Sequence, residues 1–188
     1  MQMIIRFVSL LTFPLVCLGF LASCATTSTS NQPSMQMAQE EREQAPLPDY
    51  KDRLPQQLAT GEKVILIDPN VHAWGAYNSS GQLVYAGLAT AGSNWCPDIG
   101  RPCRTKSGSF RVNSLGSPSC KSSIYPLPRG GAPMPYCMFF NHNQGLHGSY
   151  EVVEGNVSHG CVRMRVGDAE WLRYNFANVG TKVIVRPY

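Results

Sequence analysis

Four of the seven cysteines, Cys96, Cys103, Cys120 and Cys137, fall in a stretch loaded with Pro, Gly and Ser. Such a stretch orders itself poorly, so cross-links there decide what fold it can join. Cross-links persist only where thiols are oxidised, and the N-terminus bears on that. Met1 to Phe7 carries one charge, Arg6, and Phe7 to Leu21 runs apolar without a charged residue. A run this short after a weakly basic start reads as a secretory signal; a membrane span needs roughly 20 apolar residues and suitable flanks. Two disulfides are therefore expected, Cys96–Cys103 and Cys120–Cys137 being preferred among the three possible pairings. Cys17 leaves with the signal. The cysteine left over in the domain is Cys161, which stays a free thiol unless it pairs between chains.

The apolar run ends in "LASC", residues 21–24. This resembles the bacterial lipobox, in which the signal (residues 1–23) is cut before a cysteine that is then acylated. The resemblance implies a lipidated Cys24 and a membrane anchor. Ala25, rather than Asp, in the next position favours the outer membrane of a Gram-negative cell, with the domain facing the periplasm and surface exposure an open alternative. Residues 25–57 are rich in Ser, Thr, Gln, Pro and charge, with almost no branched aliphatics. That composition reads as a flexible tether ending near residue 58, which would span roughly 30 Å on average. Residues 59–188 are one domain's worth of chain. The net charge of +4 is scattered rather than run together, so a nucleic-acid partner is not expected. Oligomeric state is not legible.

Within the domain, "KVILIDPN" is a nearly continuous apolar run and reads as a buried strand. "VHAWGAYN" and "QLVYAGLAT" flank the turn signal "SSG" and read as a hairpin. "SGSFRVNS", "CMFFN", "CVRMR" and "TKVIVRPY" are further short strands. In "GDAEWLRYNFANVG", Leu172, Phe176 and Val179 recur at helical spacing, with Asp168 as N-cap and Gly180 closing the C-terminus. Many short strands and one helix predict a mostly-β sandwich or barrel.

The chemistry concentrates at "VSHGCVRMR", residues 157–165. A free cysteine is only a few per cent thiolate at neutral pH, so a nucleophilic one wants a base or a cation nearby. His72, His142, His147 and His159 all precede Cys161, the reverse of a papain-like order. Arg163 and Arg165 share a strand face with Cys161 if the segment is extended. Gly160 permits a tight turn that exposes backbone N–H groups, the donors that stabilise an oxyanion.

"GLHGSY" followed by "VSHGCVRM" resembles the active-site signature of the L,D-transpeptidases of the YkuD family, and "VYAGLATAG", "TKSGSFRV" and "GGAPMPYCMFFN" resemble its successive strands and loops. There is also similarity to an EnhA-like subgroup of Gram-negative pathogens. The resemblance covers residues 63–186 and implies a YkuD-like β-sandwich or barrel with one short C-terminal helix. It implies Cys161 as a nucleophile that forms a thioester with a peptidoglycan stem peptide, and His147 as its base, oriented by the carbonyl of Gly148. His159 would support, Ser158 would belong to the same turn, and Arg163 would shape the site. The N–H groups of Gly160 and Cys161 would form the oxyanion hole. No metal, nucleotide or other cofactor is implied. Ten residues separate His147 from Ser158, slightly fewer than in many members, which bears on substrate detail. The acceptor is open: a second stem, a protein lysine, a D-amino acid, or water, which would make the enzyme a carboxypeptidase.

Two rival readings keep the same residues. One is a catalytically silent peptidoglycan-binding lipoprotein; the other is a sortase-like protein transpeptidase, which also places His before Cys and a later Arg. A zinc site built from His142, His147, His159 and Cys161 lacks the short paired spacing such sites use. Trp74, Trp95 and Trp171 read as core or rim, and "IYPLPRGGAPMPYC" as a substrate wall or a packed loop.

Overall fold

The apolar run before Pro69 becomes strand β1 (Val64–Asp68), all five residues of which are buried. A strand hidden on both faces needs a layer on each side. Ile65 and Ile67 enter the main core with Trp74, Met138, Leu146, Val162 and Leu172. Val64 and Leu66 enter a second cluster on the opposite face, with Tyr50, Leu54 and Tyr77. Alternation of side chains along the strand makes this division.

The computed structural model describes residues 49–188; the expected signal peptide, the expected lipidation site Cys24 and most of the expected tether lie outside the described residues. One boundary changes. Residues 49–58, expected in the tether, belong to the folded domain. A 3-10 turn at Tyr50–Arg53 is capped by Asp49, whose carboxylate accepts the Lys51 N–H at 3.0 Å. Tyr50 and Leu54 are buried, Leu58 N–H donates to Gly81 O at 2.8 Å, and Tyr77 Oη donates to Pro55 O at 2.8 Å. A few apolar residues in a polar segment suffice because the outer face of β1 would otherwise be wet.

β1 pairs antiparallel with β2 (Ala73–Tyr77), which forms the expected hairpin with β3 (Leu83–Leu88). The Asn78 carboxamide oxygen closes its turn by accepting the N–H groups of Ser80 and Gln82. "SGSFRVNS" splits into β4 (Gly108–Arg111) and β5 (Ser114–Leu115), and "CMFFN" supplies β6 (Met138–Asn141). β7 (Gln144–Ser149), β8 (Val162–Arg165) and β9 (Lys182–Val185) complete two sheets, ordered β3-β2-β1-β9-β4 and β5-β6-β7-β8. The mostly-β, two-sheet architecture with one short helix is as expected.

β7 has no strand signature in the sequence, because "QGLHGS" carries two glycines and no β-branched residue. The packing explains them. A Cβ at Gly145 would sit 2.8 Å from Met138 O, and one at Gly148 would sit 3.1 Å from both Pro135 Cγ and Val166 Cα. Close backbone approach, rather than β-propensity, selects the sequence here.

The helix also departs from expectation. It starts at Val166, directly after β8, runs to Trp171 and continues as a π-helical turn over Leu172–Phe176. Asp168 therefore lies inside the first turn and caps nothing; its carboxylate accepts the Tyr85 hydroxyl at 3.1 Å. The helix ends at Ala177. Gly180 (φ +94°) instead turns the chain into β9, its N–H donating to Val112 O at 2.8 Å. Leu172 and Phe176 are buried as expected, whereas Val179 lies beyond the helix and is exposed.

Candidate active site

β7 and β8 lie side by side and parallel, with His147 opposite Arg163 in the register. Parallel neighbours in register point the same way, and Cys161 stands two residues before Arg163 where the turn feeds β8. His147, Cys161 and Arg163 accordingly line one cleft of about 870 Å³. Arg165 lies elsewhere: its guanidinium sits 5.6 Å over the Tyr50 ring.

His147 is buried, and its Nδ1 is 2.8 Å from the Gly148 carbonyl. With Nδ1–H donating, Nε2 keeps its lone pair as a proton acceptor. Burial, helped by the nearby Arg163 charge, holds its pKa down at about 4 against the backbone hydrogen bond, so the ring is neutral at neutral pH. Cys161 is half-buried, with its thiol 3.5 Å from Asn143 O. Desolvation pushes the thiol pKa up, opposed by the Gly145 N–H and by Arg163. The resting pair is thus thiol and neutral imidazole.

Ser158 shapes the turn that presents Cys161. Its hydroxyl donates to the Cys161 carbonyl and accepts the Gly160 N–H at 3.1 Å. Gly160 is in the left-handed region (φ +121°), where only glycine is unstrained. Its N–H is taken by Ser158, so of the two donors expected for an oxyanion the Cys161 N–H alone lacks an acceptor among the described residues.

Sequence reasoning missed three residues that hold this turn and the strand beside it. Thr105 Oγ1 donates to Gly160 O at 2.9 Å and accepts the Gly92 N–H at 3.0 Å. The Gln144 side chain bridges β7 to the Arg104 carbonyl and the Lys106 N–H, each at 3.0 Å. Asp98 Oδ2 lies 2.7 Å from His159 Nε2, while the His159 ring packs on Tyr125 at 4.5 Å. None of these belongs to a recognisable motif, and proximity in the fold is the only signal for them.

The structure pairs Cys96 with Cys103 and Cys120 with Cys137, leaving Cys161 as the free cysteine among the described residues. The segment "IYPLPRGGAPMPYC" supplies a wall of the cleft through Tyr125, Pro126, Met134 and Pro135. Among the described residues, Cys96, Asp98 and His159 are the one His/Cys/carboxylate group within mutual ligating distance. The sulfur of Cys96 is held in its disulfide and is no thiolate ligand. His72 and His142, both at positive φ, line no part of the cleft, and Trp74 is wholly buried while Trp95 is exposed.

The fold has clear relatives. An L,D-transpeptidase from Xylanimonas cellulosilytica superposes with a TM-score of 0.59 at 22% identity, over 81% of this chain and 70% of that one. One from Mycobacterium smegmatis gives 0.54 at 22% identity, over 67% and 59%. L,D-transpeptidase 3 from Mycobacterium tuberculosis, in complex with a faropenem-derived adduct, gives 0.53 at 23% identity, over 66% and 60%. Comparison with curated proteins returns no match. Residues 62–185 match the model of the YkuD L,D-transpeptidase catalytic domain, and the chain belongs to that family.

Proposed function

We propose that the protein is a cysteine-dependent L,D-transpeptidase acting on peptidoglycan stem peptides. One observation carries the reading: His147, Arg163 and Cys161 converge on a single cleft through the β7–β8 register. The Cys161 sulfur attacks the carbonyl carbon of the third residue of a tetrapeptide donor while His147 Nε2 takes the thiol proton. The Cys161 N–H receives the developing oxyanion. Collapse breaks the amide C–N bond, His147 returns the proton to the leaving D-Ala amine, and a thioester remains. An acceptor amine attacks the thioester, and Cys161 leaves as a thiol once the proton is restored. Because the thiol is raised and the imidazole lowered, the proton moves during attack rather than before it.

The sequence supports an envelope location, with acylated Cys24 as anchor and residues 25–48 as the reach between anchor and domain. The decisive experiment is intact mass after exposure to a carbapenem and to a tetrapeptide muropeptide. A covalent adduct that disappears in Cys161→Ala is expected, together with release of D-Ala. Absence of both, with a thiol that still labels, would move the reading to a silent peptidoglycan-binding protein.

A further inference from the structure

The cleft beside Cys161 is lopsided in charge. Arg101, Arg104, Lys121 and Arg163 line it, against one lining carboxylate, Glu151, and the Asp98 carboxylate bound to the lining His159. Glu151 is 3.5 Å from Arg163, whereas Arg101, Arg104 and Lys121 have no acidic partner among the described residues. Nothing in the acyl-transfer chemistry needs these three cations, since nucleophile, base and oxyanion donor are supplied elsewhere.

Two of them also stand on anchored backbone. Arg101 lies within the Cys96–Cys103 loop, its carbonyl accepting the Cys96 N–H at 3.0 Å. Lys121 follows disulfide-bonded Cys120 and forms a bridge with Pro133. Each disulfide therefore fixes the backbone that presents a cation to the cleft. Cations presented from fixed backbone along a recess with apolar walls concentrate field on whatever enters it, more than the same charges on a convex surface. A neutral peptide gains nothing from that arrangement, and an amine-rich one is repelled.

We propose that this site selects donor stems whose second and third residues carry free carboxylates, over the same stems amidated there. The inference rests on the transpeptidase reading and specifies its substrate class. Arg101 and Lys121 are the residues assigned to the preference, with Arg104 adding to the field. Attraction to semi-exposed cations is modest per contact, and two together correspond to a preference of about tenfold.

The test uses two synthetic tetrapeptide stems, identical except for amidation of those carboxyls. Affinity is measured on the Cys161→Ala protein, and D-Ala release on the unaltered protein. About tenfold tighter binding of the free-carboxylate stem is expected, falling toward parity at high salt and in the double variant Arg101→Gln/Lys121→Gln. Both positions are exposed, so folding of the variant is not at issue. Equal affinities with normal D-Ala release would overturn the charge selection and leave the transpeptidase reading standing. A salt-sensitive binding preference without D-Ala release would support the selection and overturn the enzyme.

Discussion

Thr105 Oγ1 donates to the carbonyl of Gly160 at 2.9 Å across 55 residues of sequence, tying a loop of one sheet to the turn that presents Cys161. The same oxygen accepts the Gly92 N–H, and Thr105 is only 1% exposed. Thr105→Val keeps the shape and orphans both backbone groups. An expected loss of about 2 kcal/mol follows from leaving buried polar groups unsatisfied, read as a lowered urea midpoint. Acylation of Cys161 should slow as well, because the turn loses its anchor. Unchanged kinetics in a destabilised variant would make Thr105 purely structural.

The His147 ring titrates at about 4 in the folded protein, against roughly 6.5 for an unperturbed histidine. Between those values the unfolded chain binds the proton and the native state does not, so stability rises with pH across this window. The contribution is fully present above about pH 6.5 and is lost as pH falls to 4, amounting to about 3 kcal/mol. Urea midpoints at pH 7 and pH 4.5 should therefore differ more for the natural protein than for His147→Gln. Identical pH dependence in the two proteins would mean that the ring is not held neutral by burial.

Cys161 is expected to lack the reactivity of a preformed thiolate–imidazolium pair. Burial raises its pKa above the ordinary thiol value, so alkylation by iodoacetamide should be slow at pH 7 and accelerate only in the alkaline range. Carbapenem acylation, assisted by His147, should be fast at pH 7 by comparison. A plateau of rapid alkylation below neutral pH would contradict the thiol–neutral imidazole resting state.

Leu54 caps the outer face of β1 and is 5% exposed. Leu54→Ala should cost about 3 kcal/mol, as buried leucine truncations do. A chain starting at residue 59 should be less stable again, since it uncovers Val64, Leu66 and Tyr77. Equal melting temperatures for chains starting at residues 49 and 59 would place the domain boundary back at residue 58.

Periodicity and local motif were enough for a good part of this molecule. The continuous apolar run of β1, the "SSG" hairpin and the helical spacing of Leu172 and Phe176 are local properties, set by which side chains can be buried at which period. The unpaired status of Cys161 followed from an odd number of cysteines in the domain, four of them clustered between residues 96 and 137, and "SHGC" carried the family. The rest depended on residues far apart in sequence. β7 was invisible because its glycines answer to Met138, Pro135 and Val166 rather than to strand propensity. The end of the helix moved because a π-helical turn, closed by Ala177 N–H on Leu172 O, competes with a glycine stop. Tyr50 and Leu54 look like tether until the second face of β1 requires a cover. Asp98, Thr105 and Gln144 acquire meaning only when the fold brings them to His159 and Gly160. Composition and pattern report what a residue prefers to bury; partners across 50 residues or more are chosen by packing, which only the tertiary structure decides.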